Sequence, residues 1–149
     1  MVEPRLQRES DLCDAVLQRA QAGVIPFAAL REYADNYVAA GGTGSFSAYV
    51  SVESQRVVLR PSLRGRVVFS VHDLATDRSF NEFHLILCRN VLIYFNRALE
   101  ARVHGLLYES LVRQGFLGLG LKESVRGSPH AAAYDEWNPA QRLYVKVRG

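Results

Sequence analysis

The stretch LILCRNVLIYFN, residues 85–96, constrains the fold more than any other, because an apolar run stops at polar residues and then resumes. Its first half completes FHLIL, residues 83–87, a short apolar run of the kind found in strands that are buried on both faces of a parallel sheet. In open parallel sheets the carboxyl ends of the strands line the ligand crevice. The sequence therefore predicts a buried strand over 83–87 and a ligand site directly after it.

The rest of the chain alternates between helical and strand-like patterns, which is typical of α/β proteins. Between residues 42 and 66 turn residues separate short strand-like runs, so a small antiparallel β-subdomain is expected there. We treat residues 1–149 as a single domain. Apolar spacing and capping residues predict helices over 12–22, 26–40 and 97–114, and apolar or alternating runs predict strands over 66–74, 116–121 and 142–147, the last at an antiparallel sheet edge.

The composition is that of a globular protein and excludes several classes of function. Among 149 residues, 48% are hydrophobic and 22% are charged, and the net charge of +3 is spread without a basic stripe, so no nucleic-acid partner is expected. The apolar run breaks at Arg89, well short of the roughly 20 residues of a membrane helix, so no membrane insertion is expected. Two distant cysteines and no secretory leader indicate the cytoplasm, and the histidine spacing predicts no metal site.

Polar side chains converge where the predicted strands end. Arg89, Asn90 and Tyr94 follow the strand over 83–87, Asp73 follows the preceding strand, and Asp11 precedes the first helix. A carboxylate at Asp11 can accept two hydrogen bonds from a ribose diol, Asp73 can accept one from an exocyclic amine, and Arg89 can fork onto a carboxylate. The plainer interpretation stays open for each residue: helix capping or solvation for the acids, and a surface position for the arginine.

FHLILCRNVLIYFN closely resembles the F-D-x-I-x-C-R-N-V-L-I-Y-F signature of CheR-type chemotaxis receptor methyltransferases. DLCDAVLQRAQAGV, VVFSVHDLA and GFLGLGLKES resemble further motifs of that family, in family order and over nearly all of the chain. The resemblance implies a partial Rossmann-like sheet of the class I S-adenosylmethionine-dependent methyltransferases. It also implies S-adenosylmethionine as cofactor, S-adenosylhomocysteine as product, and cytoplasmic glutamates of chemoreceptors, or another signalling protein, as the partner.

The same resemblance assigns roles to the candidate residues. It implies no catalytic acid or base, because a glutamate is already ionised at neutral pH and can attack the methyl group directly. The β-subdomain over 42–66 resembles the part that in some members docks a receptor tail. The implied cofactor-binding residues are Asp11 at the ribose, Asp73 and Leu74 beside the adenine, and Arg89, Asn90 and Tyr94 at the methionine end.

Two features depart from the family pattern. The N-terminal helical domain and the glycine-rich cofactor loop have no counterpart in this sequence, and Arg8, Glu9 and Ser10 stand where apolar strand residues are expected, which makes a buried strand there costly. The chain therefore resembles a truncated C-terminal catalytic portion, and its activity in isolation is left open. The alternative is a non-catalytic binding or dimerising module of a chemosensory assembly, because an incomplete sheet leaves an edge that invites pairing in a homodimer.

Overall fold

The computed structural model describes residues 7–11, 13–78 and 82–149. They form two units, Met1–Asp73 and Leu74–Gly149, and together the units give the predicted α/β class, with parallel and antiparallel pairing. The expected single domain and the 42–66 limits of the β-subdomain stay predictions. The first unit contains the strands β1 Gln7–Asp11, β2 Val24–Ile25, β3 Val50–Glu53, β4 Arg56–Leu59 and β5 Val67–Val71, and the helices α1 Asp14–Ala22, α2 Leu30–Ala39 and α3 Pro61–Arg64.

In the first unit, β1 and β5 pair in parallel from Gln7 opposite Val67 to Asp11 opposite Val71. The polar sequence of β1 does not prevent this strand, since the ladder uses backbone groups that every residue carries. Helix α1 buries Leu17 and ends at Gly23, which adopts the left-handed conformation (φ 64°) that the sequence predicted for a stop. The predicted start of this helix at position 12 lies outside the described residues.

The expected antiparallel β-subdomain is a three-stranded sheet in the order β2-β4-β3. Ser54 and Gln55 connect β3 to β4 with positive φ values of 45° and 65°, the geometry of a type I′ hairpin turn. The sheet also recruits β2, which the sequence did not predict as a strand. Pro61 follows β4 as the first residue of α3, where its missing N–H costs nothing.

The second unit is one sheet with a helix on one face. The sheet has the order β6-β7-β9-β8, with β6 and β7 parallel and β9 antiparallel to both of its neighbours. The predicted position of the last strand was wrong: it lies inside this sheet, because β8 pairs along its outer side. The bounds are β6 Phe83–Cys88, α4 Arg97–Glu109, β7 Leu111–Leu119, β8 Tyr134–Asn138 and β9 Leu143–Lys146.

Helix α4 ends earlier than its apolar spacing predicted. It stops at Glu109, and β7 begins at Leu111, which is fully buried and opposite Phe83. Gln114 has a left-handed backbone (φ 64°), which a continuing helix would not tolerate. Leu111 thus belongs to the strand. Its spacing also fits the apolar stripe of the helix, because residues of α4 and of β7 pack in the same core cluster.

The core of the second unit lies between α4 and the sheet face that carries Leu117, Leu119 and Tyr144, all at most 1% exposed. On the other face, Leu85 and Leu87 of β6 are 55% and 65% exposed. Burial of this strand on both faces, which the sequence predicted, is therefore wrong for these two residues, since α4 covers only one face. The described residues contain no helix with the length and apolarity needed to span a bilayer.

Candidate functional site

The polar break in the opening motif is the point where β6 ends, as the sequence predicted. Cys88 is the last residue of the strand, and Asn90 follows in a left-handed conformation with φ 59°. A short 3-10 turn, Leu92–Tyr94, then directs the buried Leu92 into the core. Asn96 caps α4 with its side-chain oxygen. The motif is thus a strand, a tight loop and a helix start, and the loop lies at the carboxyl end of a parallel strand.

A buried carboxylate organises this loop. Glu123 follows β7 and is only 4% exposed. Its two oxygens accept backbone N–H groups from four consecutive loop residues and from the turn after β7, and a concave set of N–H groups of this kind is a natural anion site. The N···O distances are 2.8 Å from Val91, 2.7 Å from Leu92 and 3.4 Å from Ile93 to Oε1, and 2.9 Å from Asn90 and 2.6 Å from Gly120 to Oε2.

This arrangement keeps Glu123 charged. Burial by itself would raise the pKa of its carboxyl, but the N–H groups of Gly120 and of the loop outweigh burial, so the pKa lies below its usual value. Gly120 is required for the close approach, because a Cβ there would lie 2.6 Å from Oε2 of Glu123 and 2.5 Å from Oδ1 of Asn90. The loop's anion site is thus already filled by the protein's own carboxylate.

Three predicted site residues stand on this loop. Arg89, Asn90 and Tyr94 are exposed, Tyr94 to 80%. Among the described residues, none forms a hydrogen bond or ion pair with the guanidinium of Arg89, so it is available to a ligand carboxylate. Leu74, in contrast, packs against the core of the second unit.

The other two predicted residues belong to the first unit. The structure brings Asp11 and Asp73 to the same end of the parallel pair β1–β5, where the N–H of His72 donates to the backbone oxygen of Asp11 at 3.1 Å. The exposed carboxylate of Asp11 accepts the N–H of Cys13 through Oδ1 at 2.8 Å. One oxygen thus shapes the turn before α1, whereas the role of Asp11 at a ribose stays a prediction.

Cys88 behaves as a buried filler. Burial, and secondarily the charge of Glu123, raise the pKa of its thiol to about 11, which disfavours a nucleophilic thiolate at neutral pH. Within the described ranges, no three His, Cys, Asp or Glu side chains group as metal ligands would. The role of Glu123 was not predicted from the sequence, although its segment GFLGLGLKES resembles a family motif. The signal available was an acid three residues after Gly120, the glycine that directly follows the buried end of β7.

Comparison with known families decides what this strand, loop and buried acid belong to. Residues 9–137 match the family described as CheR methyltransferase, SAM binding domain. The chain belongs to the CheR family. S-adenosylmethionine is the cofactor of this family's domain. Taken separately, each unit exposes a side chain whose chemistry fits part of it: the Asp11 carboxylate suits a ribose hydroxyl, and the Arg89 guanidinium suits a carboxylate.

Individual relatives agree with this assignment. A Pseudomonas putida protein provisionally named as the methyltransferase Cher3 is 40% identical over 146 residues, which is 98% of this CheR-family chain and 54% of the relative. A chemotaxis protein methyltransferase of Listeria monocytogenes is 33% identical over 78% of the chain and 41% of its own length. Chemotaxis protein methyltransferase 1 of Pseudomonas aeruginosa is 31% identical over 80% and 42%. The chain thus spans about half the length of these curated relatives.

Proposed function

We propose that this chain is part of the catalytic portion of a cytoplasmic protein-glutamate O-methyltransferase that modifies chemoreceptors. The observation that carries the proposal is the loop after β6. It presents Arg89, Asn90 and Tyr94 at the carboxyl end of a parallel strand, in the family's signature sequence. The Listeria monocytogenes and Pseudomonas aeruginosa relatives are named chemotaxis protein methyltransferases, and this supports receptor glutamates as the substrate class.

The proposed binding roles follow from the chemistry of each side chain. Oδ2 of Asp11 would accept a ribose hydroxyl, while Asp73 and Leu74 would provide a hydrogen-bond acceptor and an apolar surface for adenine. Arg89 would pair with the methionine carboxylate, and Asn90 and Tyr94 would line the same end. These contacts would select a nucleoside that carries an amino-acid tail.

The reaction needs little from side chains. S-adenosylmethionine, when bound, supplies a methyl group that is already activated for transfer. The receptor glutamate is ionised at neutral pH, so the chain needs no general base. Its residues would act by alignment and exclusion of water, for which effective molarities allow roughly 7 to 11 kcal/mol.

Isothermal titration of the full chain with S-adenosylhomocysteine tests the proposal. We expect binding that weakens about tenfold or more in Asp11→Ala and Arg89→Ala, because each change removes a hydrogen-bonded or charged contact. Two variants provide matched controls. Arg113→Ala removes an exposed arginine near the start of β7, and Asp35→Ala removes an exposed acid on α2. Both controls should bind like the unchanged chain. If no binding is detected at millimolar S-adenosylhomocysteine, the proposal is refuted for this chain in isolation.

One observation favours a second candidate, a dimerising module without catalysis. β6 is the last strand of its sheet and carries Leu85 and Leu87 more than half exposed, and an apolar edge strand of this kind invites pairing with another chain. Light scattering separates the alternatives by mass. A species of twice 16.7 kDa that persists on dilution supports the module, and a mass of one subunit counts against it.

A further inference from the structure

We propose that Glu123 is a positioning residue, which sets the conformation of the loop 90–93 and thereby aims Arg89 and Tyr94 at the cofactor. The inference rests on the proposed function, because it assigns the loop to the cofactor's methionine end. It goes beyond that function in giving a role to an acid that is only 4% exposed.

The first step is that the loop depends on Glu123 for its shape. Asn90 is left-handed, which costs a non-glycine residue free energy and persists only where the surroundings enforce it. The described hydrogen bonds that meet the N–H groups of Asn90, Val91 and Leu92 all end on the Glu123 carboxylate. Without that anion, several N–H groups facing one buried point would be left without an acceptor.

The second step is that the exposed ligand residues have little else to orient them. Tyr94 is 80% exposed, and the guanidinium of Arg89 is bonded to none of the described side chains or carbonyls. The orientation of these two side chains therefore depends on the backbone between them, which is the segment whose N–H groups donate to Glu123. A change at Glu123 should reach the ligand through that backbone, although Glu123 itself is only 4% exposed.

A purely structural role would predict something different, and Lys146 provides the matched comparison. It is also a buried charge of the second unit, 7% exposed, and its Nζ donates to the backbone oxygens of Tyr108 at 2.8 Å and Leu111 at 2.7 Å. These contacts lie at the end of α4 and the start of β7, whereas Glu123 follows the end of β7. Loss of either charge should lower stability, but only loss of Glu123 should disturb the loop.

The experiment compares the full chain with Glu123→Gln and Lys146→Met. The measurements are urea denaturation, titration with S-adenosylhomocysteine, and amide hydrogen exchange of peptides covering 89–95. We expect Glu123→Gln to weaken S-adenosylhomocysteine about tenfold or more and to speed exchange in that segment, since an amide presents one acceptor oxygen where the carboxylate presents two. Lys146→Met should keep its affinity within about twofold, at whatever loss of stability it shows.

Each outcome decides a different claim. Faster exchange together with weaker binding in Glu123→Gln, but not in Lys146→Met, supports the proposal. Unchanged affinity or unchanged exchange at 89–95 in Glu123→Gln overturns it, and so does an equal loss of affinity in both variants. If Glu123→Gln does not fold, Glu123→Asp replaces it under the same criteria. A wild-type chain that does not bind the ligand refutes the proposed function, whereas the exchange data still decide whether Glu123 holds the loop.

Discussion

Gly118 and Gly120 should differ in their response to the same added methyl group: it should destabilise the chain at Gly120 and have little effect at Gly118. A Cβ on Gly120 would lie 2.5 Å from Oδ1 of Asn90 and 2.8 Å from its backbone nitrogen, in addition to its clash with Glu123. The exposed Asn90 side chain could rotate away, but the Asn90 nitrogen and Oε2 of Glu123 are held in the hydrogen-bond network of the loop, so a rotamer change alone does not relieve the clash. Overpacking of this kind costs about 1 to 3 kcal/mol, and we expect Gly120→Ala in the upper half of that range.

Gly118→Ala provides the control. Its Cβ would meet Cδ2 of Leu87 at 2.7 Å and Cδ2 of Leu143 at 3.2 Å, and the Leu87 side chain is 65% exposed and free to rotate away. Alanine loses less backbone entropy on folding than glycine does, and in a strand this difference favours alanine by roughly 0.5 to 1 kcal/mol. The gain offsets a small clash. We therefore expect Gly118→Ala to lie close to the wild type in free energy of unfolding.

Urea denaturation followed by the fluorescence of Trp137 measures both variants, because this residue is the chain's single tryptophan and packs edge-on against Phe116 in the second unit. With a urea dependence of about 1 to 3 kcal/mol per molar, a loss of about 2 kcal/mol moves the midpoint down by roughly 1 M. The reasoning is refuted if Gly120→Ala unfolds at the wild-type midpoint, or if Gly118→Ala loses as much.

Three further predictions concern single side chains. Asn96→Ala should lower the free energy of unfolding by about 1 kcal/mol, because its Oδ1 accepts the Leu99 N–H at 3.0 Å, and Asn96→Asp should restore the cap in the same urea assay. Because the pKa of Glu123 is lower in the folded chain than its ordinary value of 4.5, its ionised form stabilises the fold. This contribution to the free energy of unfolding is fully present above pH 4.5 and is lost as the pH falls through the pKa of the folded state. Acid denaturation of Glu123→Gln should thus be shallower below pH 4.5 than that of the wild type, and equal slopes would contradict this linkage. With Ellman's reagent at pH 8, the exposed Cys13 should react at once and the buried Cys88, with its pKa raised to about 11, only on unfolding; two fast thiols would contradict the burial.

Local patterns were sufficient for the elements whose signals lie within a few residues. The stop at Gly23 and the cap at Asn96 depend on the conformational freedom of one residue and on one side-chain oxygen, so the sequence alone predicts both. The end of α4 could not be predicted in this way. Leu111 continues the apolar stripe of the helix, and only its pairing opposite Phe83 shows that it begins a strand.

The sequence also predicted the place of Arg89 and Asn90, since the residues that follow a buried parallel strand must lie at its carboxyl end. Whether these two residues and the first unit's Asp11 and Asp73 form one cofactor pocket stays a prediction. The polar residues at predicted strand ends and the family resemblance indicated the candidate residues, and the chemistry proposed for each follows from its side chain.

What the sequence by itself determined is the class of fold, the family and the position of the loop, because periodicity, caps and a long signature motif are all read along the chain. Only the tertiary structure decided that Glu123 holds this loop and that the last strand lies inside its sheet. The carboxylate is 30 or more residues from the loop N–H groups that it accepts, and contacts across such a separation leave no local pattern.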